Sequence, residues 1–151
     1  MSPKNNYVSK ELRSLVATRA HYLCEYCLIH EDDTFLGCAV DHIISLKHGG
    51  PTVPENLAYA CPFCNRYKGS DIASLSREGG GLVRFFNQRI DRWGDVFRLD
   101  KSAIQPLSDI GEVTARILKF NESERILERE RLAEIGRYPS REALEYLHTD
   151  L

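Results

Sequence analysis

Four residues in the middle of the chain, Asp41, His42, Asn56 and Asn65, carry side chains from which a hydrolytic centre could be built. The Asp41 carboxylate and the Asn65 amide are hard oxygen donors. A mixed oxygen set that leaves positions open for water and phosphate suits Mg²⁺ or Mn²⁺. If those two hold a cation, His42 is free to act as a general base, because an imidazole titrates near neutrality. A divalent ion beside a base is equipment for phosphodiester hydrolysis: the ion offsets charge on the phosphate and on the leaving 3′ oxygen, and the base takes a proton from the attacking water. Asn56 has two roles open to it. It could hydrogen-bond the His42 ring and fix its orientation, or it could hold the loop backbone in a turn.

The cysteines flank this group. Four of the five form two Cys-x-x-Cys pairs, Cys24/Cys27 and Cys61/Cys64. Two such pairs are the spacing of a tetrahedral structural zinc site, each making a knuckle whose sulfurs converge. Separate redox motifs or plain buried thiols are the weaker reading, since nothing at the start of the chain marks it for an oxidising compartment. Cys38 is expected to be a small buried hydrophobe. With four thiolates available, His30 is not needed as a ligand.

The elements that must position these groups follow from local pattern. Ser9 caps a helix with apolar positions Leu12, Leu15, Val16 and Ala20. Thr34 to Ile44 is rich in strand formers, with Gly37 as an interruption. Ser45 to Asn56, holding Gly49-Gly50-Pro51 and Pro54, is a loop. Pro62 to Lys68 is a short helix closed by Gly69. Gly79-Gly80-Gly81 reads as a flexible joint. Beyond it, Val96–Leu99 and Ile104–Leu107 pair as a hairpin, and three helices follow. They lie near Ile110–Phe120, from Asn121 (a box-like cap with Glu124) to Gly136, and over Arg141–His148 after a Ser140 cap. Neighbours on a regular strand face opposite ways. Asp41 and His42 can therefore share a site only at a bulge or a strand end.

Composition sets the bounds. The chain has 151 residues, 42 % of them hydrophobic and 28 % charged, which is globular and argues against disorder. No apolar run approaches the about 18 residues of a membrane span. Met1-Ser2-Pro3-Lys4-Asn5-Asn6 lacks the apolar stretch of a signal peptide, so a cytoplasmic protein is expected. Net charge is −2, which excludes a wholesale basic coat for nucleic acid. The charge is uneven, however: residues 61–101 carry eight Lys/Arg against five acids, and residues 102–151 seven against ten. A local basic face can bind a polyanion without a basic chain. Lys47, Arg66 and Lys68 are candidate phosphate contacts, with Arg84, Arg89, Arg92 and Arg98 as an extension of that face. His48 is either a phosphate contact or a solvated loop residue, and Trp93 is a packing anchor.

The ordered set Cys24-x-x-Cys27, Asp41-His42, Gly49-Gly50, Asn56-Leu57, Cys61-x-x-Cys64-Asn65 and Lys68-Gly69 resembles the HNH endonuclease family. The resemblance covers about residues 10–75. It implies an α+β fold: a zinc-clamped ββα-metal core with an N-terminal helix, followed by a C-terminal hairpin plus helices. It implies one nuclease domain over 1–151, with a core at about 10–78 and an extension at about 82–151. The activity implied is metal-dependent hydrolysis of DNA phosphodiesters to 5′-phosphate and 3′-hydroxyl ends, with RNA left open as a substrate. His42 would be the general base, Asp41 and Asn65 the ligands of a catalytic Mg²⁺ or Mn²⁺, and Asn56 the orienting residue. Lys47, His48, Arg66 and Lys68 would meet nucleic acid, and Cys24, Cys27, Cys61 and Cys64 would hold structural Zn²⁺. Asn65 stands where the family name has its last histidine, a change that favours hard cations. A homodimer, which would let two sites cut both strands, is compatible with this reading; a membrane partner is not. The rival class is a non-catalytic zinc-ribbon module binding nucleic acid or protein, which leaves Asp41, His42 and Asn65 unexplained.

Overall fold

A computed structural model describes residues 6–149. The opening residues 1–5, part of the stretch read above for a signal peptide, lie outside the described residues, as do 150–151. Among the described residues no helix is long and apolar enough to cross a membrane.

Helix α1 (Lys10–Arg19) starts where Ser9 Oγ accepts the Leu12 N–H at 3.1 Å, and it buries Val16 and Ala17. Its last residue, Arg19, donates to the carbonyls of Pro54 and Leu57 at 3.0 and 2.7 Å, tying the helix to the next sheet. Strands β1 (Ala39–His42) and β2 (Leu57–Ala60) pair antiparallel, from Ala39↔Ala60 to His42↔Leu57. All four β2 residues are buried, because α1 and α2 (Pro62–Lys68) both pack on it. Helix α2 has proline in its first turn, and the Cys61 sulfur accepts the Cys64 N–H. The hairpin and the following helix make a ββα unit.

Three expectations change here. The strand formers before Gly37 do not extend β1. Gly37 turns the backbone at φ +73°, and Phe35 and Leu36 stand exposed on the loop before it. The Gly79–Gly81 run is the tip of a second hairpin, β3 (Ala73–Leu75) with β4 (Leu82–Arg84). Asn121 does not cap the helix that follows it. Its amide bonds both the N–H and the C=O of Ile104, at 2.9 and 2.8 Å, and Glu122 takes the cap position without a side-chain bond.

The remaining elements are α3 (Trp93–Val96), the hairpin β5 (Phe97–Asp100) with β6 (Ala103–Pro106), α4 (Asp109–Ile117), α5 (Ser123–Glu134) and α6 (Arg141–Thr149). Ser140 Oγ caps α6 by accepting the Ala143 N–H. Phe97 lies at the centre of an aromatic group, with ring centroids 5.3, 5.2 and 5.5 Å from Phe86, Trp93 and Phe120. One continuous set of buried residues runs from Val16 to Tyr146. The architecture is α+β: six helices among the described residues, small antiparallel sheets, and a four-cysteine cluster that clamps the ββα unit.

Candidate metal centre and adjoining cavity

Each knuckle is a tight turn. Leu28 N–H returns to Cys24 C=O, Cys24 N–H to Ile29 C=O, and the Cys27 and Cys64 N–H groups point at Cys24 and Cys61 sulfur. These turns bring the four sulfurs of Cys24, Cys27, Cys61 and Cys64 within 4.8 Å of one another, all buried. Cys27 and Cys61 Sγ are 3.8 Å apart. Zn–S bonds of about 2.3 Å at tetrahedral angles put sulfurs about 3.8 Å apart, so the donor set fits zinc. Cys38 is buried outside this set. Burial pushes the Cys24 and Cys64 thiols up, while hydrogen bonds from the other three sulfurs push Cys27 down. Four sulfurs that would otherwise compete for protons are the arrangement a dication stabilises.

A fifth side chain reaches this cluster from 61 residues beyond its last cysteine. Arg125 on α5 donates Nη2 to Cys64 Sγ at 3.2 Å and approaches Cys61 Sγ at 3.8 Å, with Nη1 on the Leu118 carbonyl at 2.7 Å. Burial opposes its charge, but the nearby sulfurs of Cys64, Cys27 and Cys61 outweigh that and hold the guanidinium protonated. Four thiolates around Zn²⁺ carry a net −2, and Arg125 offsets part of it. The Arg125→Met variant is expected to bind zinc about tenfold more weakly. Competition against a colorimetric chelator measures this, and Arg125→Lys should recover part of the loss.

The residues between the first pair of cysteines face two ways. Glu25, fully buried, accepts from the Tyr59 N–H at 3.0 Å, from Tyr146 Oη at 2.9 Å and from Arg89. Tyr26 donates its hydroxyl to Asp41 Oδ2 at 2.7 Å, and its carbonyl accepts from Trp93 Nε1 at 2.9 Å. Tyr138 Oη donates to the Cys27 carbonyl at 2.7 Å. Residues from Arg89 to Tyr146 thus grip the first knuckle, and the knuckle grips Asp41.

Asp41, His42 and Asn65 line one open cavity of about 270 Å³, together with Val40, Ser45, Leu46, Lys47, Gly69 and Ser70. The β1–β2 ladder is regular up to His42↔Leu57 and stops there. The strand end is what lets consecutive residues serve one cavity. Asp41 is buried and carries two internal partners, Tyr26 on Oδ2 and Lys68 Nζ on Oδ1 at 3.2 Å. Burial pushes its carboxyl up, against the pull of the Lys68 charge and the Tyr26 hydroxyl. Each carboxylate oxygen keeps a second lone pair, and Asn65 adds an amide on the same cavity wall. Carboxylate and amide oxygens are the donor chemistry a hard dication takes, and the Lys68 ammonium on Asp41 Oδ1 works against a second cation there. Burial lowers His42 below the usual histidine range, the Lys68 charge adds to this and Asp41 opposes it. A neutral imidazole is the form a general base needs.

One sequence expectation is overturned, and one that was open is decided. Lys68 is not a surface phosphate contact: its side chain is 1 % exposed, and its ammonium is bonded to Asp41 Oδ1 and, at 2.9 Å, to the His42 carbonyl. Of the two roles open to Asn56, the structure shows the one that holds the loop backbone, with no hydrogen bond to the His42 ring. Its Oδ1 accepts from Ile44 N–H, and its Nδ2 donates to the Ile44 and Pro51 carbonyls, all at 2.9 Å. The ring instead meets Thr52, Nε2 to Oγ1 at 2.9 Å. Lys47, His48 and Arg66 are exposed, with Lys47 on the cavity wall. Of the outlying arginines, Arg84 pairs with Asp91 and Arg89 with Glu25, and Arg98 bonds Gln105. Sequence reading passed over Tyr26, Thr52 and Arg125. The position of Tyr26 inside the knuckle and of Thr52 inside the Gly-Pro loop offered a faint signal; Arg125, in another part of the chain, offered none.

Gly50 shows how tightly that loop is folded. A Cβ on it would lie 1.7 Å from the Ile44 carbonyl oxygen and 2.8 Å from Asn56 Nδ2. Gly50→Ala is expected to lower unfolding free energy by about 3 kcal/mol, measured by urea denaturation.

Residues 24–71 match the family model described as HNH endonuclease. Over this segment the chain is similar to the HNH endonucleases. No curated protein and no solved structure matches the chain. The HNH segment takes in both knuckles, the ββα unit and the whole cavity, whereas the elements from β3 to α6 lie beyond its end. Nucleases are the family's activity, and nucleic acid is the class of substrate it implies.

Proposed function

We propose that the protein is a metal-dependent endonuclease that hydrolyses DNA phosphodiester bonds. What carries this reading is that Asp41, His42 and Asn65, 24 residues apart at the extremes, line one open cavity. In the proposed reaction His42 takes a proton from water, the water oxygen bonds to phosphorus, and the bond from phosphorus to the 3′ oxygen breaks. Asp41 and Asn65 would hold Mg²⁺ or Mn²⁺, which when bound stabilises charge on the phosphate and leaving oxygen. Lys68, beneath the floor of the site, holds Asp41 in place rather than touching substrate. Lys47 and Arg66, with His48 beside them, offer exposed groups to the nucleic-acid backbone.

The test is incubation of supercoiled plasmid with zinc-loaded protein and Mg²⁺ or Mn²⁺, wild type against His42→Ala. Nicked or linear product from the wild type alone supports the proposal. Equal rates from the two proteins remove His42 from it. No product on duplex, single-stranded or RNA substrates leaves the zinc-binding module as the reading.

A further inference from the structure

The loop from Ser45 to Asn56 is bound together far more firmly than a connection between two strands requires. Gly50 N–H returns to the Ser45 carbonyl at 3.0 Å, and Gly50 itself has no room for a side chain beside the Ile44 carbonyl. Asn56, buried, spends its amide on Ile44 N–H, Ile44 C=O and Pro51 C=O. The Pro51 carbonyl belongs to the peptide that leads into Thr52, so fixing it fixes where Thr52 begins. Thr52 Oγ1 then lies 2.9 Å from His42 Nε2. The end of β1 sets the other side of this contact, since Ile43 N–H bonds the Asn56 carbonyl at 2.9 Å.

We infer that Thr52 is a positioning residue for His42: its hydroxyl accepts the Nε2–H, so that Nδ1 carries the lone pair that receives the proton from water. The inference rests on the proposed nuclease reading for its purpose. Its physical content, the tautomer, stands apart from that reading. A neutral imidazole has one N–H and one lone pair. A base must present the lone pair to solvent, and Nε2 is covered by Thr52. Nδ1 is the nitrogen left for the reaction. On this view Asn56 does orient His42, but through the loop: it holds Pro51, and the next residue holds the ring. This is also why an asparagine with three backbone bonds can matter to an imidazole it does not hydrogen-bond.

The experiment reads the tautomer directly. Zinc-loaded protein with ¹⁵N-labelled histidine is measured by long-range ¹H–¹⁵N correlation at neutral pH without Mg²⁺, with the His42 signals identified by their loss in His42→Ala. The expected wild-type pattern has a protonated Nε2 and an unprotonated Nδ1. Thr52→Val and Thr52→Ala should give a mixture of tautomers, while Thr52→Ser, which keeps the hydroxyl, should keep the wild-type pattern. A wild-type proton on Nδ1, or an unchanged pattern in both folded variants lacking the hydroxyl, overturns the inference. In the plasmid assay Thr52→Val should lower kcat about tenfold or more with KM unchanged and Thr52→Ser should restore most of it; unchanged kcat in Thr52→Val also overturns it. If the wild type cleaves nothing, the nuclease reading fails while the tautomer result still decides this inference.

Discussion

The His42→Ala protein is expected to cleave plasmid DNA at least about a hundredfold more slowly than the wild type, which is the low end of what a general base contributes. The loss should fall on kcat, because the imidazole is assigned to the proton of the attacking water and not to binding. The side chain is partly exposed at the end of β1 and has Thr52 as its side-chain hydrogen-bond partner. Its removal opens no core cavity, so the melting temperature should stay within a few degrees of wild type. A variant that is folded, loaded with zinc and inactive is the expected combination. The acid limb of the wild-type rate should lie below the usual histidine value of 6.5, because burial and the Lys68 charge both disfavour the imidazolium. A folded variant with undiminished rate would mean that the cavity hydrolyses nothing through this residue.

The second large effect concerns folding. Cys61→Ser is expected to abolish stoichiometric zinc and to unfold the protein, or to lower its melting temperature by tens of degrees. Structural zinc contributes about 10–16 kcal/mol of apparent binding free energy, as much as a domain's entire stability of about 5–15 kcal/mol. The substitution isolates the metal's contribution, because serine is a good residue for the position before α2. The cap contact to the Cys64 N–H that Cys61 now makes can therefore survive while the ligand is lost. Damage should spread to the cavity by two routes: α2, which begins at this knuckle, carries Asn65 and Lys68, and Tyr26 in the other knuckle hydrogen-bonds Asp41. Metal analysis and a thermal melt are the measurements. A variant that melts like the wild type, with no zinc in either protein, would remove the metal from the fold.

Much of this architecture was readable because it depends on contacts a few residues apart. The Ser9 and Ser140 caps, the Pro62–Lys68 helix and the converging knuckles each follow from residues within one or two turns. Errors arose where a distant partner outbid a local preference. Asn121 has the chemistry of a helix cap, but an open backbone pair at Ile104 on the preceding hairpin takes its amide. Lys68 looks like a phosphate contact in a basic stretch. On the inner face of α2, however, its ammonium meets a buried carboxylate, which without that partner would be an uncompensated buried charge.

The ordered cysteine pairs, the Asp41-His42 step and the Cys64-Asn65 step by themselves determined the metal-clamped ββα unit and the set of groups available for chemistry. They could do so because metal ligation and short-range turns are encoded in spacing. Only the tertiary structure decided which partner each of those groups keeps: Thr52 rather than Asn56 at the His42 ring, Lys68 and Tyr26 on Asp41, Arg125 on the thiolates. Those choices depend on where side chains far apart in the chain come to rest once water is excluded, and nothing in local spacing records that.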